Sequence, residues 1–289
     1  MANILVTGSN GQLGNEIREL AKQSAFEFSF TDVAELDITD INAIDSLFRK
    51  NSFDYVINCA AYTNVNKAEE EEQLAHKINA LAPENIAKIC KTFHCKFIHV
   101  STDYVFEGTH YQPYVETDKV CPQTAYGRTK LEGEQLIQKI CDEFIIIRTA
   151  WLYSTFGNNF VKTMIKLGTE RDEINVVFDQ IGSPTNAADL AKAILTIISQ
   201  VENKTKSFVP GIYHFTNEGV CSWYDFTKEI HTLAHIKCSV LPIDTKDFPS
   251  PAKRPFYSVL NKKKIKDTYN VAVPYWKDSL ALCIKKLQE

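Results

Sequence analysis

Apolar residues in the first half of the chain gather into short, compact runs: Asn3–Thr7, Glu27–Thr31, Tyr55–Cys59, Lys96–Val100 and Phe144–Arg148. Runs that stay apolar on both faces suit a parallel sheet covered by helices on both sides. The segments between them have helical composition, the first running from Gly11 to about Gln23. This alternation, closed by right-handed crossovers, predicts an α/β chain with a doubly wound parallel sheet over residues 1–150. Beyond Ala150 the pattern changes. Gly182-Ser183-Pro184 interrupts the chain, Ala187–Gln200 reads as a helix and Gly211–Thr216 as a short strand. Ser222 is placed to cap a helix running to about His235, and the proline-bearing stretch from Pro242 to Pro255 reads as largely irregular. The prediction for residues 151–289 is a smaller, loop-rich substrate-binding part, interleaved with the first and packed with it as one unit.

Composition narrows the function. With 44% apolar and 24% charged residues, the 289-residue chain has the make-up of a globular protein able to bury a large core. A net charge of −4 lacks the basic field that nucleic acid or an anionic membrane would attract. No apolar run approaches the roughly 20 residues that span a bilayer, and Met1–Thr7 reads as a strand rather than a signal peptide. The eight cysteines are scattered without a CxxC pair, which reads as reduced thiols in a cytoplasmic protein.

Two motifs carry chemistry. The first strand runs directly into Gly8-Ser9-Asn10-Gly11-Gln12-Leu13-Gly14 and then a helix. Gly8 allows the sharp turn, Gly11 lets backbone approach a pyrophosphate, and Gly14 lets the helix pack against the strand. The leading N–H groups of that helix then face an anion. This is the dinucleotide-binding (Rossmann) arrangement, implying NADPH or NADH. Asp32, at the end of the second strand, is placed to accept hydrogen bonds from the adenosine ribose, with a slight lean toward NAD. Asp37 and Ile38 are placed to flank the adenine, and Ala60, Ala61, Tyr62 and Thr63 to line the cofactor crevice.

The second motif is Tyr126-Gly127-Arg128-Thr129-Lys130. One helical turn apart, Tyr126 and Lys130 share a face. A phenol with an ordinary pKa near 10 is a weak acid–base catalyst at neutral pH; an adjacent ammonium and a nicotinamide cation both favour its phenolate. Thr102 ends the fourth strand, where its hydroxyl can hold the substrate oxygen that Tyr126 protonates. Alone, a tyrosine and lysine at this spacing make an incidental surface pair. With the glycine-rich turn upstream and a Ser/Thr strand end before it, the pair reads as catalytic.

Further blocks give the chain a specific likeness. Leu36–Asp40, Asn58–Thr63, Ser101–Gly108, Tyr126–Glu134, Arg148–Trp151, Gly157–Phe160, Asp179–Thr185, Ser222–Tyr224 and Pro251–Pro255 together resemble the dTDP-4-dehydrorhamnose reductases, a family of extended short-chain dehydrogenases/reductases. The resemblance implies hydride transfer from NAD(P)H to the C4 carbonyl of a dTDP-linked 4-keto-6-deoxysugar. It gives Tyr126 the role of proton donor, Lys130 that of nicotinamide-ribose ligand, and Thr102, Asp103, Tyr104 and Trp151 those of sugar contacts. Arg254 is then either the cation for the substrate diphosphate or a packing and salt-bridge residue. Some members dimerise around magnesium; Glu16 matches one acidic position, but Asp189 stands where a second has Glu, so the resemblance leaves Mg2+ open and assigns no metal site. A monomer or a homodimer is compatible.

Other features read as structural. His231 and His235 lack a third ligand and a following Glu, so they belong to packing or the surface. Glu69–Glu72 reads as a solvated helix face, Lys262–Lys264 as an exposed basic run, and Trp223, Tyr224 and Phe226 mostly as core. Two alternatives share the scaffold: a nucleotide-sugar epimerase or dehydratase, and a non-catalytic binding or regulatory subunit. Tyr104 after Asp103, in place of a second carboxylate, argues against dehydration. Tyr126, Lys130 and Thr102 together argue for an enzyme.

Overall fold

The computed structural model describes residues 1–289. Five parallel strands, β1 (Asn3–Thr7), β2 (Glu27–Thr31), β3 (Tyr55–Asn58), β4 (Lys96–Thr102) and β5 (Phe144–Thr149), form the centre of the molecule. A sixth strand, Gly211–His214, pairs in parallel with β5, giving the order 211–214, β5, β4, β3, β1, β2. The order reverses between β1 and β3, and the carboxyl ends of these strands open the crevice in which such sheets bind ligands.

Alternate residues of each strand feed opposite cores, which is why the runs are apolar throughout. Ile4, Val6, Tyr55, Ile57, Ile98, Ile145 and Ile147 face one layer, under the first helix, α1 (Gln12–Ala21), and the helix Ala187–Glu202. Leu5, Val56, Phe97 and Ile146 face the other, against the helices Ile41–Lys50, Ala82–Phe93 and Ala125–Ile140. Each such side chain, fully buried, contributes about 1.5–3 kcal/mol. A third core lies wholly in the second half, where Tyr153, Phe226, Ile230, Trp276 and Leu280 pack around a two-stranded parallel sheet, Glu173–Val177 with Ser239–Ile243.

That small sheet corrects one expectation. Pro242 is not in irregular chain; it lies in the strand Ser239–Ile243, opposite Val176. Proline is tolerated there because a two-stranded sheet leaves every strand with an edge needing no donor. From Asp244 to Pro255 the chain is irregular apart from one short turn at Thr245–Asp247, and two helices, Lys263–Tyr269 and Trp276–Gln288, follow. Ser222 does cap its helix: its hydroxyl accepts from Asp225 N while the Asp225 carboxylate accepts from Ser222 N. All eight cysteines are unpaired. No helix is long and apolar enough to cross a membrane.

Candidate active site

β1 ends in a tight turn made by Gly8, whose φ is +65°. A side chain there is excluded twice, by the backbone conformation and because a Cβ would lie 2.5 Å from Ala60 N. A Cβ at Gly14 would meet Ser9 Cα at the same distance, so α1 packs directly on the loop. The helix starts from Gly11 with no side-chain cap and no acid in its first turn. By contrast, the helices starting after Asp40, Thr124, Asn159, Asn186 and Ser222 are each capped by that residue's own side chain. The uncapped N–H groups of α1 are free for an anion, and a dinucleotide pyrophosphate fits this loop.

The surrounding residues have more local partners than the motif suggested. Asp32 Oδ2 accepts from Asn10 N at 2.9 Å and Oδ1 from Val33 N at 2.8 Å, so its carboxylate braces the loop. Asp37 accepts from both Thr39 N and Oγ1, which holds its pKa below the usual value. Ile38 and Leu13 are buried in the cores, leaving only their backbones for a ligand. Gln12 Oε1 accepts from Asn159 Nδ2, and Glu16 Oε1 from Ser154 Oγ, tying the glycine loop to the second half of the chain. Ala60, Ala61 and Tyr62 are half-buried behind β3 and Thr63 is exposed. Sequence reading missed Arg18. Its guanidinium stacks over Phe30, 4.4 Å from the ring centroid, and donates to Ser9 Oγ, placing a cation beside the loop.

Tyr126 and Lys130 lie on the helix Ala125–Ile140, one turn apart. Gly127 permits this placement: a Cβ there would stand 2.3 Å from Tyr104 O, at the turn following β4. Thr124 caps the helix through Gly127 N, and Glu69 Oε1 accepts from Ala125 N at 2.9 Å. Glu69 is therefore turned into the fold, while Glu70, Glu71 and Glu72 are exposed, as read. Glu71 accepts from the Tyr62 hydroxyl, and Glu72 pairs with Arg128. In the basic run Lys262–Lys264, Lys263 and Lys264 are exposed, as read, and Lys262 is not. Lys262 is buried beside Glu218, and Lys264 donates to Ile212 O over the Tyr213 ring. His231, as read, packs: it is buried with Nε2 at 2.9 Å from Met164 O.

Burial raises the Tyr126 pKa strongly; the Thr102 hydroxyl pulls it partly back, while Asp103 and Tyr104 push it higher. These surroundings favour the neutral phenol over the phenolate. Lys130 is 1% exposed, and burial lowers its pKa to about 8 against the opposing pull of Glu134. Thr102 Oγ1 donates to Asp103 Oδ1 at 2.9 Å. Asp103 Oδ2 has no partner within the protein, and burial raises this acid's pKa to about 6, with the Thr102 and Ser258 hydroxyls opposing. The Tyr104 ring meets Tyr126 edge-on at 5.5 Å, and its hydroxyl accepts from Arg254 Nη1 at 3.5 Å. Tyr126, Thr102, Asp103, Tyr104 and Arg254 thus form one group above the ends of β4 and β5.

Trp151 holds a left-handed backbone, φ +50°, unusual for a bulky residue. Its indole lies flat on Trp223, with centroids 3.5 Å apart and 9° between the planes. Gly182 sits beneath it; a Cβ there would fall 2.6 Å from the indole. The two acids considered for magnesium have partners inside the chain: Glu16 the Ser154 hydroxyl, Asp189 the Asn217 amide and the Ser279 hydroxyl. No group of three or more His, Cys, Asp or Glu side chains is arranged to hold a metal.

The model of the RmlD substrate binding domain family matches residues 1–289, the whole chain. The chain belongs to this family. It is 38% identical over 288 residues to dTDP-4-dehydrorhamnose reductase of Aggregatibacter actinomycetemcomitans, covering 97% of each chain. A crystal structure of a dTDP-4-dehydrorhamnose reductase from Clostridium acetobutylicum superposes with a TM-score of 0.94 at 46% identity, over 99% of this chain and 100% of that one. The Bacillus anthracis dTDP-4-dehydrorhamnose reductase, solved in complex with NADP, gives the same TM-score at 38% identity and the same coverage.

Proposed function

We propose that this protein is an NAD(P)H-dependent reductase that converts the C4 carbonyl of a dTDP-linked 4-keto-6-deoxysugar to an alcohol, giving dTDP-L-rhamnose. The observation that carries this reading is the half-buried Tyr126, whose surroundings favour the neutral phenol, beside Thr102 and one turn from Lys130, in a chain whose first strand ends in a glycine loop with uncapped helix N–H groups. Gly8, Gly11 and Gly14 with the backbones of Gln12 and Leu13 would cradle the pyrophosphate. Asp32 and Arg18 would flank the adenosine ribose, and Ala60–Thr63 with Lys130 would hold the nicotinamide end. An arginine close to that ribose suits a 2′-phosphate, so Arg18 offsets the lean toward NAD that Asp32 suggested. Bound there, the dihydronicotinamide supplies the hydride.

The chain's own groups manage the proton and the substrate. Thr102 turns its one hydroxyl proton from Asp103 Oδ1 to the C4 oxygen, and Tyr126 gives that oxygen its proton as negative charge develops on it. A phenol with a raised pKa is the right form for a reduction, because the acid is present at the start. Lys130 then favours the phenolate left behind. Asp103, with one oxygen unpartnered, accepts from a sugar hydroxyl, and Arg254 beside Tyr104 meets the diphosphate. Trp151 provides a flat wall for the sugar. NADPH or NADH mixed with the protein and dTDP-4-keto-6-deoxy-L-mannose should lose the absorbance of the reduced cofactor; no loss with either cofactor would overturn the reading.

Gly182→Ala tests the Trp151 wall. The added methyl must displace the indole, and overpacking of this kind costs about 1–3 kcal/mol. KM for the nucleotide sugar should rise roughly tenfold while NADPH affinity holds, and tryptophan fluorescence should report the broken stack. An unchanged KM would remove Trp151 from the substrate site.

A further inference from the structure

Beneath the site floor runs a buried polar line that the reaction above leaves unexplained. Ala60 N donates to Asn58 Oδ1 at 3.1 Å, and Thr7 Oγ1 donates to the same oxygen at 2.7 Å. Asn58 Nδ2 lies 3.0 Å from His99 Nδ1, and His99 Nε2 lies 3.1 Å from Lys130 Nζ. Lys130 Nζ also donates to Val100 O at 2.7 Å. Asn58 and His99 are fully buried, Thr7 and Lys130 all but so.

The direction of every hydrogen bond in this line follows from one backbone group. The Ala60 N–H can only donate, so the Asn58 amide must turn its oxygen toward it. Its nitrogen then faces His99 and can only donate, which makes His99 Nδ1 an acceptor. Burial keeps the imidazole neutral, and with Nδ1 accepting from Asn58 its one proton sits on Nε2, aimed at Lys130. An ammonium has three donors and no lone pair, and here it would meet that N–H head-on. A neutral amine fits: it accepts from His99, donates to Val100 O and keeps one N–H free.

We propose that His99 is a positioning residue that holds Lys130 as a neutral amine in the cofactor-free protein, and that Lys130 takes one proton from solvent when the cofactor binds. The second clause rests on the cofactor reading above: ribose hydroxyls offer acceptors for the extra N–H, and an ammonium then adjoins Tyr126 only in the complex ready to react. The charged and titratable groups facing Lys130 are His99 from β4, and Tyr126 and Glu134 from its own helix. Glu134 favours the ammonium, but its carboxylate is already held by Arg148 from β5 and by Ser101. The lowered lysine pKa agrees with the hydrogen-bond argument.

The test is titration of the Lys130 side chain by NMR in cofactor-free protein carrying 13C-labelled lysine, its signal assigned by loss in Lys130→Arg. The expected midpoint lies well below the ordinary lysine value of about 10.4. Two variants should raise it by about one pH unit or more. His99→Leu removes the opposing N–H. Asn58→Asp, nearly isosteric, accepts from His99 Nδ1–H, reverses the line and turns a lone pair toward Lys130. A wild-type midpoint at or above the ordinary value, or one unmoved in the folded variants, overturns the proposal. Calorimetry of NADPH binding near pH 9, in buffers of different ionisation enthalpy, should show proton uptake by the wild type and much less by Asn58→Asp. NADPH that binds without uptake also overturns it. Protein that binds no NADPH would instead defeat the cofactor reading, while the lysine titration still decides the role of His99.

Discussion

Tyr126→Phe is expected to lower kcat by about 10²–10⁴-fold, the usual contribution of a positioned proton donor, while leaving the dissociation constant for NADPH within about twofold. The half-buried phenol stands beside Thr102, Asp103 and Tyr104, and the phenyl ring keeps its contacts while losing only the oxygen. The fold is unaffected by this reasoning, so the melting temperature should stay near that of the wild type. Steady-state oxidation of NADPH and a binding titration separate the two quantities. A variant that turns over at a rate close to wild type would remove Tyr126 from the chemistry.

The largest effect on stability is expected from Arg148→Met. Arg148 and Glu134 form an ion pair with both side chains almost completely buried: Arg148 Nη2 donates to Glu134 Oε2 at 2.7 Å, Nε donates to both carboxylate oxygens, and Ser101 Oγ adds a bond to Oε1 at 2.5 Å. Removing the guanidinium leaves a carboxylate out of water with one hydroxyl for company. Breaking such a pair costs about 3–5 kcal/mol, a large share of the roughly 5–15 kcal/mol that holds a domain together. The melting temperature should fall by roughly 10 °C. Replacing both partners, Arg148→Met with Glu134→Leu, should recover much of the loss, because no charge is then left unpaired. Thermal unfolding followed by circular dichroism decides it: a single variant as stable as wild type would mean that Glu134 finds water or a proton instead.

Both predictions concern residues that stood in recognisable sequence blocks, but they were legible to different degrees. Tyr126 and Lys130 were readable because a helix brings positions one turn apart onto the same face, a local rule that needs no tertiary knowledge. Arg148 and Glu134 lie on a strand and a helix adjacent in the sequence, and nothing local announces that their charges meet. Glu69 shows the same limit. In the sequence it is one acid in a run of four, whereas in the fold it receives the first free N–H of the catalytic helix. Lys262 looked like solvated charge and is instead buried beside Glu218. Pro242 looked like a breaker and lies in a strand, because proline cannot signal whether its missing donor was needed.

Local rules, acting on the sequence alone, therefore determined the five apolar strands, the glycine turn that feeds α1, the capped start of the helix after Ser222, and the tyrosine–lysine spacing. In each case the cause lies within a few residues: side-chain alternation, allowed backbone angles, or helical repeat. Tertiary structure alone decided that 211–214 completes the main sheet, that Gly182 seats Trp151 against Trp223, and that Asn58 and His99 reach Lys130 beneath the site. Those contacts join residues far apart in the chain, and their sign depends on which hydrogen-bond donors burial leaves facing each other. That is a property of packing, which a one-dimensional pattern does not carry.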